Sequence, residues 1–144
     1  MAGDVNQDVS YVIGRGNEVV FVDDSEADLV FAEVCYRDSG ATNRLLTFSA
    51  PDSFMEFLRT KKAHQEPQPD VIFLDINMPE VDGFEVLAEL KKDSYFRSVP
   101  VVFMLTNSEN LVDRDHAKRL GATDYFVKPT SPEAFIGILQ QIRV

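Results

Sequence analysis

The sequence has little cysteine and no long apolar run, and each shortage excludes a class of protein. Its one cysteine, Cys35, cannot form an internal disulfide, which favours a reducing compartment. No stretch approaches the roughly 18 consecutive apolar residues of a membrane span, and the N-terminus lacks the basic and apolar regions of a secretory signal. We therefore predict a cytoplasmic protein that has no membrane partner.

Cations are also scarce. The 14 Lys and Arg residues are outnumbered by 24 Asp and Glu residues, which gives a formal net charge of -10. Binding to nucleic acid depends on basic patches that neutralise phosphates and release counterions, so we predict no direct contact with nucleic acid. An acidic excess commonly serves solubility alone; the alternative is a clustered acidic site that binds a cation.

Short apolar runs alternate with longer amphipathic runs from residue 18 onward, a pattern typical of βαβ units around a parallel sheet. The length of 144 residues fits one such domain. The predicted strands are residues 18–22, 44–48, 71–74, 101–105 and 124–127. The predicted helices are residues 25–39, 53–60, 83–92, 108–120 and 131–144. We predict an N-terminal arm over residues 1–17 and a single domain over residues 18–144.

Two of the predicted strands are followed directly by acidic residues. Asp23 and Asp24 follow the first strand, and Asp75 follows the apolar run of the third. Right-handed crossovers bring the carboxyl ends of parallel strands to one edge of the sheet, where ligands bind in open α/β folds. We therefore expect six residues near that edge: Asp23, Asp24, Asp75, Asn77, Thr106 and Lys128.

Crowded carboxylates require a cation, because like unit charges about 4 Å apart repel by roughly 4 kcal/mol at an effective dielectric constant of about 20. Hard oxygen ligands select magnesium or manganese over zinc, which prefers His and Cys. One divalent ion and the Lys128 ammonium formally balance three carboxylates. The predicted site can then receive a dianionic phosphoryl group.

The chemistry of these residue types divides the roles. Asp75 is the candidate nucleophile, because carboxylates accept phosphoryl groups as acyl phosphates. Asp23 and Asp24 would hold the metal, while Lys128 and the Thr106 hydroxyl would stabilise charge on the transferring oxygens. Each residue alone also has a simpler explanation, since Asp at a strand end commonly caps a helix or forms a turn. Their joint placement favours a site.

Together the motifs resemble the receiver domain of bacterial two-component response regulators. The resemblance spans roughly residue 18 to the end of the chain. It rests on Val22-Asp23-Asp24-Ser25, on the segment from Leu74 to Gly83, on Met104-Leu105-Thr106 and on the segment from Gly121 to Pro129. It implies an α/β, doubly wound, flavodoxin-like parallel sheet of five strands in the order 2-1-3-4-5. It also implies a signalling domain rather than an enzyme.

The resemblance assigns a role to each matching residue. Asp75 would be the phosphorylated residue, and the metal, Mg²⁺ with Mn²⁺ as an alternative, would be bound by Asp23, Asp24, Asp75 and the backbone carbonyl of Asn77. Thr106 and Lys128 match the family's hydroxyl and lysine, and the Lys128–Pro129 bond is expected to be cis.

A switch is also implied. Thr106 would move to the phosphoryl oxygens and vacate space into which the Tyr125 ring turns. The simpler explanation of Tyr125 is a half-buried strand aromatic. The output surface would comprise the fourth helix, fifth strand and fifth helix, and would bind a downstream protein. The phosphoryl donor would be a sensor histidine kinase or a histidine phosphotransfer protein.

Some residues depart from the family pattern or stand outside it. Asn107 occupies a position where the family more often has a small residue, which leaves the phosphoryl lifetime open. The chain continues for only one helix after Pro129, so we expect no attached output domain. His64 and His116 are predicted to be surface residues rather than phosphoryl carriers.

Two other functions remain to be weighed. A phosphohydrolase of the haloacid dehalogenase type also uses an aspartyl phosphate, but it expects a second Asp where this chain has Asn77. A degenerate, receiver-like scaffold would bind partners without phosphorylation, and the complete set of acids, hydroxyl and lysine argues against it.

Overall fold

The computed structural model describes residues 17–76, 78, 82–105 and 111–141. Most of the predicted N-terminal arm therefore lies outside the described residues, as do Asn77, Thr106 and Asn107. Within the described ranges, none of the helices combines the length and the apolar character needed to span a membrane.

Strands and helices alternate along the described chain. The strands are β1 (Val19–Val22), β2 (Leu45–Phe48), β3 (Val71–Asp75), β4 (Val101–Leu105) and β5 (Asp124–Val127). The helices are α1 (Glu26–Ser39), α2 (Pro51–Ala63), α3 (Gly83–Lys92), α4 (Leu111–Leu120) and α5 (Pro132–Gln141). All strand pairs are parallel, and their order is β2-β1-β3-β4-β5. The predicted fold class and strand order are confirmed.

The central strands are apolar throughout because both of their faces are buried. Alternate side chains of β1 and β3 point to opposite faces, so Val20 and Ile72 pack under α2 and α3. Phe21 and Phe73 face the other side, where their rings stack at 4.4 Å and pack against α1 and α5. This burial on two faces fixes the register of the strands that carry the acidic residues.

The helix ends follow the capping signals in the sequence. Ser25 caps α1 by accepting a hydrogen bond from Asp28 N at 3.2 Å, and Ser131 caps α5 by accepting one from Ala134 N at 3.2 Å. Gly121 follows α4 in a left-handed conformation, with a φ of 102°. The Ser25 cap places the start of α1 directly beside the end of β1.

Helix α2 is longer than predicted at both ends. It begins at Pro51, whose ring is pre-organised for the first helical position, although Ala50 before it provides no side-chain cap. Its last turn is held by Lys61, whose buried ammonium donates to Glu18 Oε2 at 3.0 Å and to the Pro67 carbonyl at 2.9 Å. Tertiary contacts therefore extend the helix beyond the local sequence signal.

Candidate functional site

Three acidic side chains meet at the carboxyl edge of the sheet. Oxygen atoms of Asp23, Asp24 and Asp75 all lie within 4.8 Å of one another. Asp23 and Asp75 are buried, with exposed fractions of 8% and 2%, whereas Asp24 is exposed. The cluster is therefore closed on the side of the core and open towards solvent.

The strand register explains why two of these residues are neighbours. Val22 of β1 pairs with Leu74 of β3, so the next residue of each chain segment, Asp23 and Asp75, emerges at the same level. Asp75 is itself the last residue of β3, where it pairs with Met104 of β4. It is thus held by strand pairing rather than carried on the following loop.

The backbone after β1 orients Asp23. Its Oδ1 atom accepts a hydrogen bond from Ser25 N at 2.9 Å, and its backbone N donates to the Phe48 carbonyl at 3.0 Å. The Ser25 contact forms a local turn of the kind that Asp favours. Its other oxygen, Oδ2, faces Lys128.

Lys128 connects these acids to the end of β5. Its Nζ atom lies 2.9 Å from Asp23 Oδ2, 2.9 Å from Asp28 Oδ2 and 3.3 Å from Asp75 Oδ1. The structure thus brings Asp23, Asp24, Asp75 and Lys128 together at one edge, as the topology led us to expect.

The local environment keeps Lys128 charged. Burial lowers the pKa of its ammonium, but hydrogen bonds to Asp28 and Asp23 and the negative charge of Asp75 outweigh that effect and raise the pKa above its ordinary value. At neutral pH the ammonium is therefore a fixed positive charge among the carboxylates.

Sequence reasoning missed Asp28. A side chain in the first turn of α1 lies at the same edge of the sheet as the end of β1. An acid at that position was the signal that could have identified it. Within the described residues, the site therefore holds four carboxylates, and those of Asp23, Asp28 and Asp75 lie within 3.3 Å of the Lys128 ammonium.

The donor atoms fit a hard divalent cation. Asp23, Asp24 and Asp75 offer only carboxylate oxygens, the ligands that Mg²⁺ and Mn²⁺ prefer. One ammonium leaves the acids of the site with excess negative charge, which a divalent ion would reduce. The exposed position of Asp24 leaves a path by which an ion can enter.

Gly83 lies against the backbone of Asp75 where α3 begins. Its N–H donates to the Ile76 carbonyl at 2.9 Å. Asp82 caps the helix by accepting a hydrogen bond from Glu85 N at 2.9 Å. The first residue of α3 is therefore hydrogen-bonded to Ile76, the residue directly after the candidate nucleophile Asp75.

Tyr125 lies outside the acidic cluster, on the side of β5 that faces α4. It pairs with Phe103 of β4 and is half-buried. The Arg114 guanidinium from α4 lies over its ring, 4.9 Å from the ring centre. Such contacts stabilise a ring orientation by cation–π attraction.

Two expectations from the sequence need correction. The described residues contain no cis peptide bond, so the expectation of a cis Lys128–Pro129 bond is wrong for this structure. His64 is exposed as predicted, but His116 is half-buried because its ring stacks on Phe84 at 4.2 Å. The aromatic partner on α3 was not visible from the charged sequence around His116.

Comparison with known proteins identifies the class. The family model of the response regulator receiver domain matches residues 19–140. The chain therefore belongs to the response regulator receiver family, a family of two-component signalling domains. The predicted family is confirmed.

Individual relatives match most of the chain. Protein PilG of Pseudomonas aeruginosa is 31% identical over 125 residues, which cover 87% of this chain and 86% of PilG. The crystal structure of the Mn²⁺-bound form of response regulator Rcp1 superposes with a TM-score of 0.72 at 27% identity, over 85% of this chain and 88% of Rcp1. The phosphorylated cyanobacterial phytochrome response regulator RcpA superposes with a TM-score of 0.73 at 30% identity, over 85% of this chain and 88% of RcpA.

Proposed function

We propose that this receiver domain accepts a phosphoryl group on Asp75 in a reaction that depends on Mg²⁺ or Mn²⁺. Its output is phosphorylation-dependent protein binding or onward phosphotransfer. The observation that carries the proposal is the convergence of Asp23, Asp24 and Asp75 at one sheet edge, with Lys128 Nζ 3.3 Å from Asp75 Oδ1. The domain catalyses only its own phosphorylation and dephosphorylation.

Asp23, Asp24 and Asp75 would hold the metal ion together with the backbone carbonyl of Asn77. The bound ion would reduce the repulsion between the acids and the phosphoryl oxygens. The Mn²⁺-bound structure of the relative Rcp1 supports a divalent ion in this fold. The carboxylate donor set of this chain supports the same choice.

Phosphoryl transfer to Asp75 requires little further chemistry from the protein. An Asp75 carboxylate oxygen forms a bond to phosphorus while the bond between phosphorus and the donor imidazole nitrogen breaks. The imidazole leaves with the electron pair of that bond, and the nitrogen then takes a proton from water. Lys128 Nζ and the Thr106 hydroxyl stabilise the negative charge on the transferring oxygens.

The burial of Asp75 restricts its donors. With 2% of its surface exposed, it can be reached only by a phosphoryl group presented at the carboxyl edge of the sheet. A phosphohistidine of a sensor histidine kinase or a histidine phosphotransfer protein meets that requirement. The phosphorylated structure of the relative RcpA supports acceptance of a phosphoryl group in this fold.

The signal would leave the site through Thr106 and Tyr125. Movement of Thr106 towards the phosphoryl oxygens would open space for the Tyr125 ring, which is half-buried and covered by Arg114. The resulting change lies on α4, β5 and α5, which we propose as the surface for the downstream protein.

A small phosphodonor tests the proposal without knowledge of the natural kinase. Wild-type protein should gain the mass of one phosphoryl group from acetyl phosphate with Mg²⁺, and should gain none in excess EDTA. Asp75→Asn should gain none under either condition. Asp52→Asn, which removes an exposed acid from the first turn of α2, should be modified like wild type. Equal modification of Asp75→Asn and wild type would reject the assignment.

A further inference from the structure

Asp28 contacts Lys128 as closely as Asp23 does. Both carboxylates lie 2.9 Å from Lys128 Nζ, whereas that of Asp75 lies 3.3 Å away. We propose that Asp28 is a positioning residue. Its carboxylate holds the Lys128 ammonium on the α1 side of the site, and the ammonium therefore attracts an incoming phosphoryl group less strongly. This inference rests on the proposed function, because it concerns the same lysine and the same phosphoryl group.

The acids around Lys128 compete with a phosphoryl group for its ammonium. An ammonium has three N–H donors, and Lys128 has three carboxylates within 3.3 Å. The hydrogen bonds of Lys128 go to Asp28 and Asp23, so a phosphoryl oxygen competes with these two carboxylates for the ammonium.

Burial determines which contact is released. The exposed fractions of the side chains are 12% for Asp23, 2% for Asp75 and 48% for Asp28. A buried carboxylate that loses its cation is left as an uncompensated buried charge, which is strongly destabilising. A half-exposed carboxylate that loses its cation is solvated by water. The Asp28 contact is therefore the one that phosphoryl binding breaks.

The helix cap does not account for the position of the Asp28 carboxylate. Only the backbone N of Asp28 takes part in the cap, where it donates to Ser25 Oγ. The carboxylate instead reaches Lys128, a residue 100 positions away in the chain. A second acid of the same turn, Glu26, is exposed and forms no ion pair within the described part of the chain. Glu26 is therefore a matched control for a loss of charge at the start of α1.

Beryllofluoride, a phosphoryl analogue, provides the test. Its dissociation constant is measured by fluorine NMR at saturating Mg²⁺ for wild type, Asp28→Asn, Asp28→Glu and Glu26→Gln. We expect Asp28→Asn to bind about threefold to fivefold more tightly, the range set by the loss of a partly exposed ion pair. We expect Glu26→Gln to change affinity less than about twofold, and Asp28→Glu to resemble wild type because it restores the carboxylate.

A double-mutant cycle separates positioning from simple repulsion between Asp28 and the analogue. If Asp28 acts through Lys128, the gain from Asp28→Asn should disappear in a Lys128→Gln background. The same gain in both backgrounds would overturn the inference, because Asp28 would then act by its charge alone.

The ion pair itself is observable without metal or analogue. Heteronuclear NMR of the Lys128 ammonium should show slow proton exchange in wild type and faster exchange in Asp28→Asn, with Glu26→Gln unchanged. If wild type binds beryllofluoride and Asp28→Asn binds it no more tightly, the inference about Asp28 is overturned and the proposed function is not. Failure of wild type to bind the analogue would contradict the proposed function and the role of Asp28 together, while the ammonium signal would still report the contact.

Discussion

A Cβ atom added to Gly83 would lie 2.5 Å from the backbone carbonyl oxygen of Asp75. It would also lie 2.9 Å from Cα of Ile76, so the crowding comes from backbone that cannot rotate away. The absence of a side chain at Gly83 therefore allows α3 to start directly against the residue that we propose as the phosphoryl acceptor.

Gly83→Ala should destabilise the protein and shift the Asp75 backbone. We expect the free energy of unfolding to fall by about 1–3 kcal/mol, as for other substitutions that overfill a packed interior. Urea unfolding measures this change, and amide NMR signals of residues 74–76 report the displacement.

Gly137→Ala is the matched control in α5. No atom lies within 4 Å of the added Cβ atom, and the substitution should raise the free energy of unfolding by up to about 1 kcal/mol through helix propensity. Equal effects of the two substitutions would show that Gly83 matters for helix propensity and not for contact with Asp75.

Mg²⁺ should stabilise the wild-type protein through the acidic cluster. At about 100 times the dissociation constant, binding to the native state alone adds about 2.7 kcal/mol to the free energy of unfolding. Asp24→Asn should lose most of this gain, and without metal it should be at least as stable as wild type because one repulsive charge is gone. Asp38→Asn removes an exposed acid near the end of α1 and should keep the full Mg²⁺ effect. A full Mg²⁺ effect in Asp24→Asn would place the ion elsewhere.

Tyr36 should make stability depend on alkaline pH. Its hydroxyl donates to the Asn43 carbonyl at 2.8 Å, and burial, assisted by the negative charge of Asp70, raises its pKa from 10.0 to about 12. A raised folded-state pKa favours the protonated phenol, so this stabilisation is complete below pH about 10 and is lost as the pH rises towards about 12.

Tyr36→Phe measures that contribution. At pH about 7 the variant should lose about 1–2 kcal/mol in urea unfolding, because the buried carbonyl of Asn43 loses its donor. The difference from wild type should shrink between pH about 10 and about 12. Tyr95→Phe removes a phenol that donates to the Glu66 carbonyl at an exposed site, so it should cost less. A difference for Tyr36→Phe that stays constant with pH would contradict the account.

The proposed switch predicts a change at α4 that is separate from the acidic cluster. Turning of Tyr125 would carry its ring away from the Arg114 guanidinium, so beryllofluoride with Mg²⁺ should remove the ring-current shift of the Arg114 side-chain protons. Proton NMR measures it, with the ring of Tyr36 as an internal control that should not move. Unchanged Arg114 signals at saturating beryllofluoride would contradict the switch and favour the simpler explanation, that Tyr125 is a half-buried aromatic residue of the strand.

The apolar strands and the helix caps were predictable from the sequence because their signals are local. Val71 to Leu74 forms an uninterrupted apolar run, and Ser25 and Ser131 stand at the first turns that they cap. Topology rules then placed Asp23 and Asp75 at one edge, since that placement depends only on strand direction and right-handed crossovers.

The contacts that sequence reasoning missed depend on side-chain reach between distant segments. Asp28 and Lys128 are 100 residues apart, and the position of Asp28 in the first turn of α1 does not by itself show that its side chain reaches Lys128. The last turn of α2 depends on a similar pairing, between Lys61 and Glu18. The close approach of Gly83 to Asp75 likewise requires the path of the backbone, which composition does not reveal.

Chemical mapping of the phosphorylated residue tests the central claim most directly. Wild-type protein is treated with acetyl phosphate and Mg²⁺, the acyl phosphate is reduced with borohydride, and the modified residue is located by peptide mass spectrometry. Our account predicts modification of Asp75 alone, with Asp23 and Asp24 unmodified. Modification at either of those residues, or at a histidine, with Asp75 unchanged would contradict it.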